Sequence, residues 1–295
     1  MIRIILITAL SFFTLQIGFA QALDKEKLDN YLETLEANNK FMGSVAIAKN
    51  GEVVYTKATG YADVESEKKP DANTKYRIGS ISKTFTAALV LQAAEEKKLT
   101  LDHNIHKYFP SVTNCKKITI SNLLNHRSGI HNFTNDDIYL TYNTQPKTEA
   151  EMVAIIAESG SDFEPNAKAE YSNSNYLLLS YILEDVYGKS YSEILQTKII
   201  TPLNLENTHF GEKTDLAKNE CYSYQYVGNW EKQPETDMSV PMGAGAIIST
   251  PSDLCLFATA LFSGKVISEE SLKIMTSMTE GYGMGLFTMP FGEKT

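Results

Sequence analysis

The chain has 295 residues, 43% hydrophobic and 21% charged, a composition typical of a globular protein with one large domain or two intertwined ones. Its formal net charge of −9, without a cluster of basic residues, argues against binding to nucleic acid or to an anionic membrane surface. The three cysteines, Cys115, Cys221 and Cys255, show no paired spacing, so we expect small buried residues and not metal ligands or nucleophiles.

The first 22 residues have the pattern of a secretory signal peptide. A short positive start at Arg3 precedes a largely apolar run over residues 4–13, and Ala20-Gln21-Ala22 is a small-x-small cleavage site. We therefore expect a mature chain that begins at Leu23 and is periplasmic or secreted; an uncleaved membrane anchor is the alternative. No second long apolar run follows, so no transmembrane span is expected after signal cleavage.

The mature chain opens with a predicted helix and a predicted hairpin. Apolar residues recur at helical spacing at Leu28, Tyr31, Leu32 and Leu35. Residues 44–49 and 52–57 are rich in β-branched side chains and flank Asn50-Gly51, a strong signal for a type I′ turn. These two segments therefore predict an antiparallel hairpin.

Between the hairpin and about residue 240 the pattern is mainly helical. The predicted elements are a short helix capped by Ser121 that ends at Ser128-Gly129, a helix from a Thr148/Glu151 capping box to Gly160, a helix over residues 176–187 closed by Gly188, a helix from a Ser190/Glu193 capping box that stops before Pro202, and a helix that starts at Thr250-Pro251. The order predicts an α/β part at about residues 23–75 and 240–295, with a helical part at about residues 76–239 inserted in it.

The first candidate for chemistry is the segment Arg77-Ile78-Gly79-Ser80-Ile81-Ser82-Lys83-Thr84-Phe85. Apolar residues at helical spacing follow Gly79, so Ser80 heads a predicted helix that runs to about Lys97-Lys98. Ser80 and Lys83, three residues apart, are neighbours on a helix. A serine with an amine beside it to take its proton is suited to attack a carbonyl group.

The Ser-x-x-Lys spacing by itself is weak evidence, because it occurs twice. The second copy, Ser66 and Lys69, lies in a polar run broken by Pro70 and is typical of a solvated loop. Even for the Ser80 copy, an ordinary helix start remains an alternative to a catalytic role.

The second candidate segment is Tyr171-Ser172-Asn173. A tyrosine hydroxyl close to a lysine amine can shuttle a proton, and an asparagine amide can hydrogen-bond a substrate amide. Taken alone, the tripeptide is better explained as a helix entry capped by residues 172–175.

Together these segments resemble the serine β-lactamase and penicillin-binding-protein-like family, in the class C-like branch that also includes D-aminopeptidases and esterases. The resemblance rests on the Ser80 and Tyr171 motifs and covers nearly all of the mature chain. Further segments follow in the expected order: Leu123-Leu124-Asn125-His126-Arg127-Ser128-Gly129, Pro202-Leu203 with Asn207-Thr208, Ala244-Gly245 with Ser249-Thr250 and Asp253-Leu254, and Tyr282-Gly283-Met284-Gly285. The resemblance implies an α/β (α+β) fold, in which helices flank an antiparallel sheet and an all-helical domain is inserted.

The resemblance also implies roles for the site residues. Ser80 would be the acylated nucleophile, and Lys83 and Tyr171 would share the general-base and general-acid work. Asn173 would position the substrate amide, and the backbone N–H of Ser80 would be one oxyanion donor. His126 matches a family position and is interpreted as structural. No metal and no cofactor are expected.

One family motif is missing from the expected place. A Lys- or His-x-Gly strand should follow Tyr282-Gly283-Met284-Gly285, but the sequence ends at Thr295 before any such motif. His209-Phe210-Gly211 has the right letters in a different neighbourhood and is interpreted as a coincidence. On this basis the sequence resembles a truncated family member that lacks the last strands, with low activity expected.

The predicted function is that of an exported serine hydrolase that forms an acyl-enzyme on Ser80. Candidate substrates are a β-lactam, a D-amino-acid peptide (peptidoglycan peptides included) or a carboxylic ester, and residues 134–147 and 222–235 are expected to border the site that selects among them. The alternatives are a non-catalytic binder of cell-wall peptides or β-lactams and an inactive incomplete product. A Ser/His/Asp hydrolase has little support without a Gly-x-Ser-x-Gly elbow, and His103 with His106 lacks a third metal ligand.

Overall fold

The computed structural model describes residues 23–289. The predicted signal peptide falls outside the described residues, and its cleavage remains a prediction. Within residues 23–289, no helix combines the length and the hydrophobicity that crossing a bilayer requires.

The described chain combines helices with antiparallel strands, as the predicted mixed α/β class requires. The helices are α1 (Lys25–Ala37), α2 (Ser82–Glu95), α3 (Ile120–Leu124), α4 (Tyr139–Tyr142), α5 (Glu149–Ser159), α6 (Asn173–Tyr187), α7 (Tyr191–Leu195), α8 (Thr201–Leu203), α9 (Pro251–Phe262) and α10 (Glu269–Met275). The strands are β1 (Gly43–Lys49), β2 (Glu52–Thr59), β3 (Tyr76–Arg77), β4 (His209–Phe210), β5 (Tyr224–Tyr226), β6 (Trp230–Lys232) and β7 (Ile247–Ser249). The predicted domain boundaries stay a prediction, and strands β3–β6 also lie within residues 76–239.

The predicted hairpin is confirmed as strands β1 and β2, which pair antiparallel. Asn50 and Gly51 between them have φ angles of 55° and 84°, the positive values that a type I′ turn requires at both central residues. Helix α1 packs on β2, and α9 packs on both strands. The hairpin thereby gains the helical support that an isolated two-stranded ribbon needs for stability.

Helices α2 and α6 form the centre of the core. The sequence predicts one apolar face on α2, but the structure buries nearly the whole helix, because α6, α7 and the 3₁₀ turn Met242–Ala244 pack around it. Phe85 on α2 also stacks on Phe257 of α9, with ring centroids 3.7 Å apart. The helix that carries Lys83 is therefore held from several sides.

A small sheet with the strand order β3-β7-β4 fixes the chain just before Gly79-Ser80. Arg77 in β3 pairs with Ile248 in β7, and the backbone N–H of Ile78 donates to the carbonyl of Ile247 at 3.0 Å. The entry to α2 is thus anchored to a strand that lies about 170 residues later in the sequence.

Most of the predicted helix signals are confirmed. The capping boxes at Thr148 and Ser190, the termination of α5 at Gly160 and of α6 at Gly188, and the Thr250 cap of α9 all occur as expected. Helix α6, however, begins at Asn173 and not at Tyr176.

Two helix predictions were wrong. Thr119, and not Ser121, caps α3, because Thr119 and Asn122 form a reciprocal capping box, and the helix ends at Leu124. The helix that begins after Ser190 does not stop before Pro202, because a π-helical turn at Gln196–Ile200 leads directly into α8. Pro202 is the second residue of α8 and follows directly on the π-helical turn.

The cysteines are free thiols, and two of the three are buried as expected. Cys255, in α9, is only partly buried.

The stack between Phe85 and Phe257 gives a test of the core. Replacing Phe257, which is 3% exposed, with alanine should lower the free energy of unfolding by about 3–5 kcal/mol, because the cavity would open directly beside α2. The matched control on the same helix is Phe262→Ala, at a position 55% exposed, where the change should stay within about 0.5 kcal/mol. Urea unfolding of both variants measures the difference, and equal losses would contradict this packing.

Candidate active site

Ser80 lies in a 3₁₀ turn, Gly79–Ile81, that runs directly into α2. Gly79 has a φ angle of 52°, a left-handed value that glycine adopts without strain, and this turns the chain from β3 into the helix. The α-helix proper begins two residues after Ser80, although the sequence predicts Ser80 at its start. The 3₁₀ turn still leaves Ser80 and Lys83 side by side, and Ser80 is exposed.

Lys83 is a buried lysine whose amine contacts three neutral oxygens. Nζ lies 3.1 Å from Ser80 Oγ, 2.8 Å from Asn173 Oδ1 and 2.7 Å from the carbonyl oxygen of Ala244. The residue is 3% exposed, and burial lowers the pKa of the ammonium from 10.5 to about 7. Near neutral pH the amine therefore exists both with and without its third proton.

The neutral form of Lys83 fits these three contacts. A neutral amine has two N–H donors and one lone pair, and the oxygens of Asn173 and Ala244 can only accept. The two donors therefore go to those oxygens, and the lone pair faces the hydroxyl of Ser80. This arrangement suits removal of the hydroxyl proton.

Tyr171 lies on the other side of Ser80. The two hydroxyl oxygens are 2.6 Å apart, and either can donate the hydrogen bond. Tyr171 Oη also lies 3.1 Å from Asn173 Oδ1, so its single proton can go to Asn173 or to Ser80, and Lys83 Nζ lies 4.8 Å from the centroid of the tyrosine ring. Burial raises the pKa of the Tyr171 hydroxyl, while its hydrogen bond with Ser80 acts in the opposite direction.

Asn173 is fixed by two residues that sequence reasoning missed. Its backbone N–H donates to Asn132 Oδ1 at 2.9 Å, and its Nδ2 donates to Thr134 Oγ1 at 3.0 Å. Asn132 caps the N-terminus of α6 in the place expected for Ser172, whose side chain makes no capping bond. The sequence holds no local signal for this, because the capping side chain comes from a loop 41 residues away.

A cavity of about 390 Å³ opens beside Ser80. Phe133, Tyr139 and Met238 supply aromatic and apolar walls, and Ser80 and Asn173 supply polar groups. Residues from both predicted bordering loops, 134–147 and 222–235, line it. The lining is mixed, because Arg77, Ser223, Glu235 and Thr236 add further polar and charged side chains. A concave site that combines apolar walls with convergent polar groups is suited to a small molecule.

The other serine–lysine pair and the His-x-Gly tripeptide lie elsewhere. Ser66 Oγ donates to Asp63, and Lys69 pairs with Glu36. His209 belongs to β4, and its ring contacts Glu220. These contacts agree with the interpretation of both motifs as coincidences.

The four predicted site residues Ser80, Lys83, Tyr171 and Asn173 are therefore in mutual contact, although 91 residues separate Ser80 from Tyr171. The carbonyl oxygen of Ala244, which accepts a hydrogen bond from Lys83, is the fifth group of the site. Sequence reasoning had quoted Ala244-Gly245 as a family segment without giving it a role.

The chain is similar to known proteins in sequence and in structure. A teichoic acid D-alanine hydrolase from Staphylococcus aureus (strain MRSA252) is 33% identical over 245 residues, which are 82% of this chain and 59% of that protein. This chain thus spans about three-fifths of the length of the curated relatives that it matches.

Solved structures show the same fold. FmtA from Staphylococcus aureus superposes with a TM-score of 0.78 at 30% sequence identity, covering 90% of this chain and 75% of that one. A D-amino acid amidase from Ochrobactrum anthropi SV3, complexed with L-phenylalanine, has a TM-score of 0.78 at 27% identity, covering 90% of this chain and 82% of that one.

The model of one protein family, described as Beta-lactamase, matches residues 28–292, nearly the whole chain. With the ordered motifs, the fold and this match in agreement, the protein belongs to the Beta-lactamase family.

Proposed function

We propose that this protein is an exported serine hydrolase that forms an acyl-enzyme on Ser80 and cleaves an ester or amide of a D-amino acid. The observation that carries the proposal is the contact of the exposed Ser80 hydroxyl with both the Lys83 amine, at 3.1 Å, and the Tyr171 hydroxyl, at 2.6 Å. A nucleophile in contact with a base that is itself held by further groups is the arrangement that covalent catalysis requires.

The substrate class is supported by the relatives and by the cavity. One relative is named a teichoic acid D-alanine hydrolase and another a D-amino acid amidase, so an ester and an amide of a D-amino acid are the two forms we propose. A cavity of about 390 Å³ has room for a small acyl group beside Ser80.

Acylation begins when the neutral amine of Lys83 takes the proton of the Ser80 hydroxyl. The oxygen Oγ then forms a bond to the carbonyl carbon, and the electrons of the C=O double bond move to its oxygen. The backbone N–H of Ser80 is one donor to this oxyanion.

Collapse of the tetrahedral intermediate breaks the bond to the leaving alcohol or amine. Tyr171 gives its hydroxyl proton to the leaving group, and the Lys83 ammonium returns a proton to Tyr171. Water enters as the nucleophile in the second half and releases the acid, with the same two residues handling its proton.

Asn173 is proposed to position the substrate. Its Oδ1 accepts from Lys83 and Tyr171, so its Nδ2 group is the part left to interact with a substrate carbonyl. Thr134 accepts one of the two Nδ2 hydrogens, which fixes the direction of the other.

The proposed location is the periplasm or the exterior of the cell. It is supported by the signal-peptide pattern of residues 1–22 and by the cell-wall substrate in the name of the teichoic acid relative.

The direct test is hydrolysis of D-alanyl and L-alanyl p-nitroanilide and methyl ester, with covalent labelling by a fluorophosphonate. We expect turnover of the D-substrates in preference to the L-substrates, and labelling that Ser80→Ala abolishes. Ser66→Ala is the matched control from the second Ser-x-x-Lys copy and should change neither the turnover of the D-substrates nor the labelling. Labelling that survives Ser80→Ala would show that another residue is the nucleophile.

Lys83→Ala and Tyr171→Phe should each slow acylation by about 10²–10⁴-fold, because each removes a group that transfers the proton. Both variants should keep the wild-type circular dichroism spectrum. Lys69→Ala serves as the control, because this side chain is exposed and pairs with Glu36 away from Ser80. Wild-type labelling rates in both variants would mean that neither group handles the proton.

The rate of acylation should increase with pH and level off above about pH 7. Burial lowers the pKa of Lys83 to about 7, and the amine accepts the serine proton only after it has lost its own. The measurement is the fluorophosphonate labelling rate between pH 5 and pH 9, corrected for probe hydrolysis. A rate that stays constant through this range would exclude Lys83 as the base.

A further inference from the structure

His126 packs against the ring of Tyr171. It follows α3 with a φ angle of 59°, and it is only 4% exposed. The centroid of its ring is 4.8 Å from that of Tyr171, with the planes inclined by 36°. The imidazole therefore forms a packing surface for the tyrosine ring.

His126 also holds the backbone on both sides of Tyr171. The N–H of Glu170 donates to the carbonyl oxygen of His126 at 2.9 Å. The N–H of Ser172 donates to Nδ1 of its ring at 3.2 Å. One residue thus binds the positions immediately before and after Tyr171.

The hydrogen bonds determine which tautomer the imidazole adopts. A backbone N–H can only donate, so Nδ1 must be the unprotonated nitrogen and the proton must be on Nε2. Nδ2 of Asn175 lies 3.3 Å from the same Nδ1, and Oδ1 of Asn175 accepts from Ser128, which orients the amide with its nitrogen towards the ring. If Nδ1 were protonated, it would become a hydrogen-bond donor. It would then face the backbone N–H of Ser172 and the Nδ2 group of Asn175, which are themselves donors.

The surroundings keep His126 neutral. Burial is the larger cause and the charge of Lys83 the smaller one, and together they lower the pKa of the imidazole from 6.5 to about 3. Tyr176 and Tyr282 enclose the ring further, with centroids 5.2 Å and 5.3 Å from it. The hydrogen-bonding pattern therefore persists through the neutral pH range.

Within residues 23–289, the hydrogen bonds of the His126 side chain go to Ser172 and Asn175, and none goes to Ser80 or Lys83. Any effect on the reaction must therefore act through the residues that it holds. Tyr171 is the one among them that touches the nucleophile.

We propose that His126 is a positioning residue for Tyr171: its Nδ1 and carbonyl oxygen clamp residues 170 and 172, and its ring sets the plane of the tyrosine. This inference rests on the proposed role of Tyr171 in proton transfer. It gives the histidine, which sequence reasoning interpreted as structural, a specific effect on one catalytic step.

Two variants separate the parts of this role. In His126→Asn, Oδ1 takes the place of Nδ1 as an acceptor, and asparagine tolerates the positive φ angle better than most residues. His126→Ala loses both the acceptor and the ring. We expect His126→Ala to lower the acylation rate about 10²-fold, the scale of loss for a misplaced reacting group, and His126→Asn to recover most of that loss.

A double-mutant cycle with Tyr171→Phe distinguishes positioning from general damage to the fold. If His126 acts through the Tyr171 hydroxyl, adding His126→Ala to Tyr171→Phe should lower the acylation rate little further, because the hydroxyl is already absent. Equal fold-losses in the wild-type and Tyr171→Phe backgrounds would overturn the proposal, and so would a wild-type rate in His126→Ala.

A second measurement needs no turnover. In protein labelled with ¹³C at the tyrosine Cζ, the signal of Tyr171 is identified by its absence in Tyr171→Phe. We expect it to shift or broaden in His126→Ala and to stay near its wild-type position in His126→Asn. Should His126→Ala fail to fold, a Tyr171 signal in His126→Asn that is shifted from its wild-type position, together with an acylation rate as low as that of Tyr171→Phe, would overturn the clamp.

The two proposals fail in different ways. Absence of fluorophosphonate labelling in the wild-type protein would contradict the proposed function, and the Tyr171 signal would still report whether His126 sets its position. Normal labelling with an unchanged Tyr171 signal in His126→Ala would contradict the inference alone.

Discussion

The burial of the Lys83 amine among three neutral oxygens is the constraint on which the site depends. An ammonium group in this position loses its hydration, and hydrogen bonds to Ser80, Asn173 and the carbonyl of Ala244 only partly replace it. The pKa of Lys83 therefore falls to about 7. The burial that is unfavourable for the charge is what gives the protein a base close to neutral pH.

The lowered pKa of Lys83 makes the folded protein less stable as the pH falls. Lys83 binds its proton less tightly in the folded chain, with a pKa of about 7, than in the unfolded chain, where lysine has its usual pKa of 10.5. Its contribution to folding is therefore most favourable above pH 10.5 and declines as the pH falls from there to about 7. The packing of α2 against α6, α7 and α9 acts in the opposite direction and stabilises the helix that carries Lys83.

The second half of the site depends on side chains that hold Tyr171 and Asn173 in place. Asn132 and Thr134 fix Asn173, and His126 holds the residues on either side of Tyr171. The hydroxyl and the amide that meet Ser80 and Lys83 are therefore set by loops that pack behind them. A rigid supporting layer of this kind is what a proton transfer between groups about 3 Å apart requires.

The sequence by itself indicated most of the local elements and the candidate site residues. The Asn50-Gly51 hairpin, the capping boxes at Thr148 and Ser190 and the glycine at position 188 each depend on neighbouring residues, so they are readable from a short window. The ordered motifs likewise indicated the family and the four residues around Ser80. What only the tertiary structure decided are the contacts between distant segments: the carbonyl of Ala244 on Lys83, the cap of α6 by Asn132 and the clamp of His126 on Tyr171. Each joins residues more than 40 positions apart, and no local pattern encodes which of many possible partners the folded chain brings together.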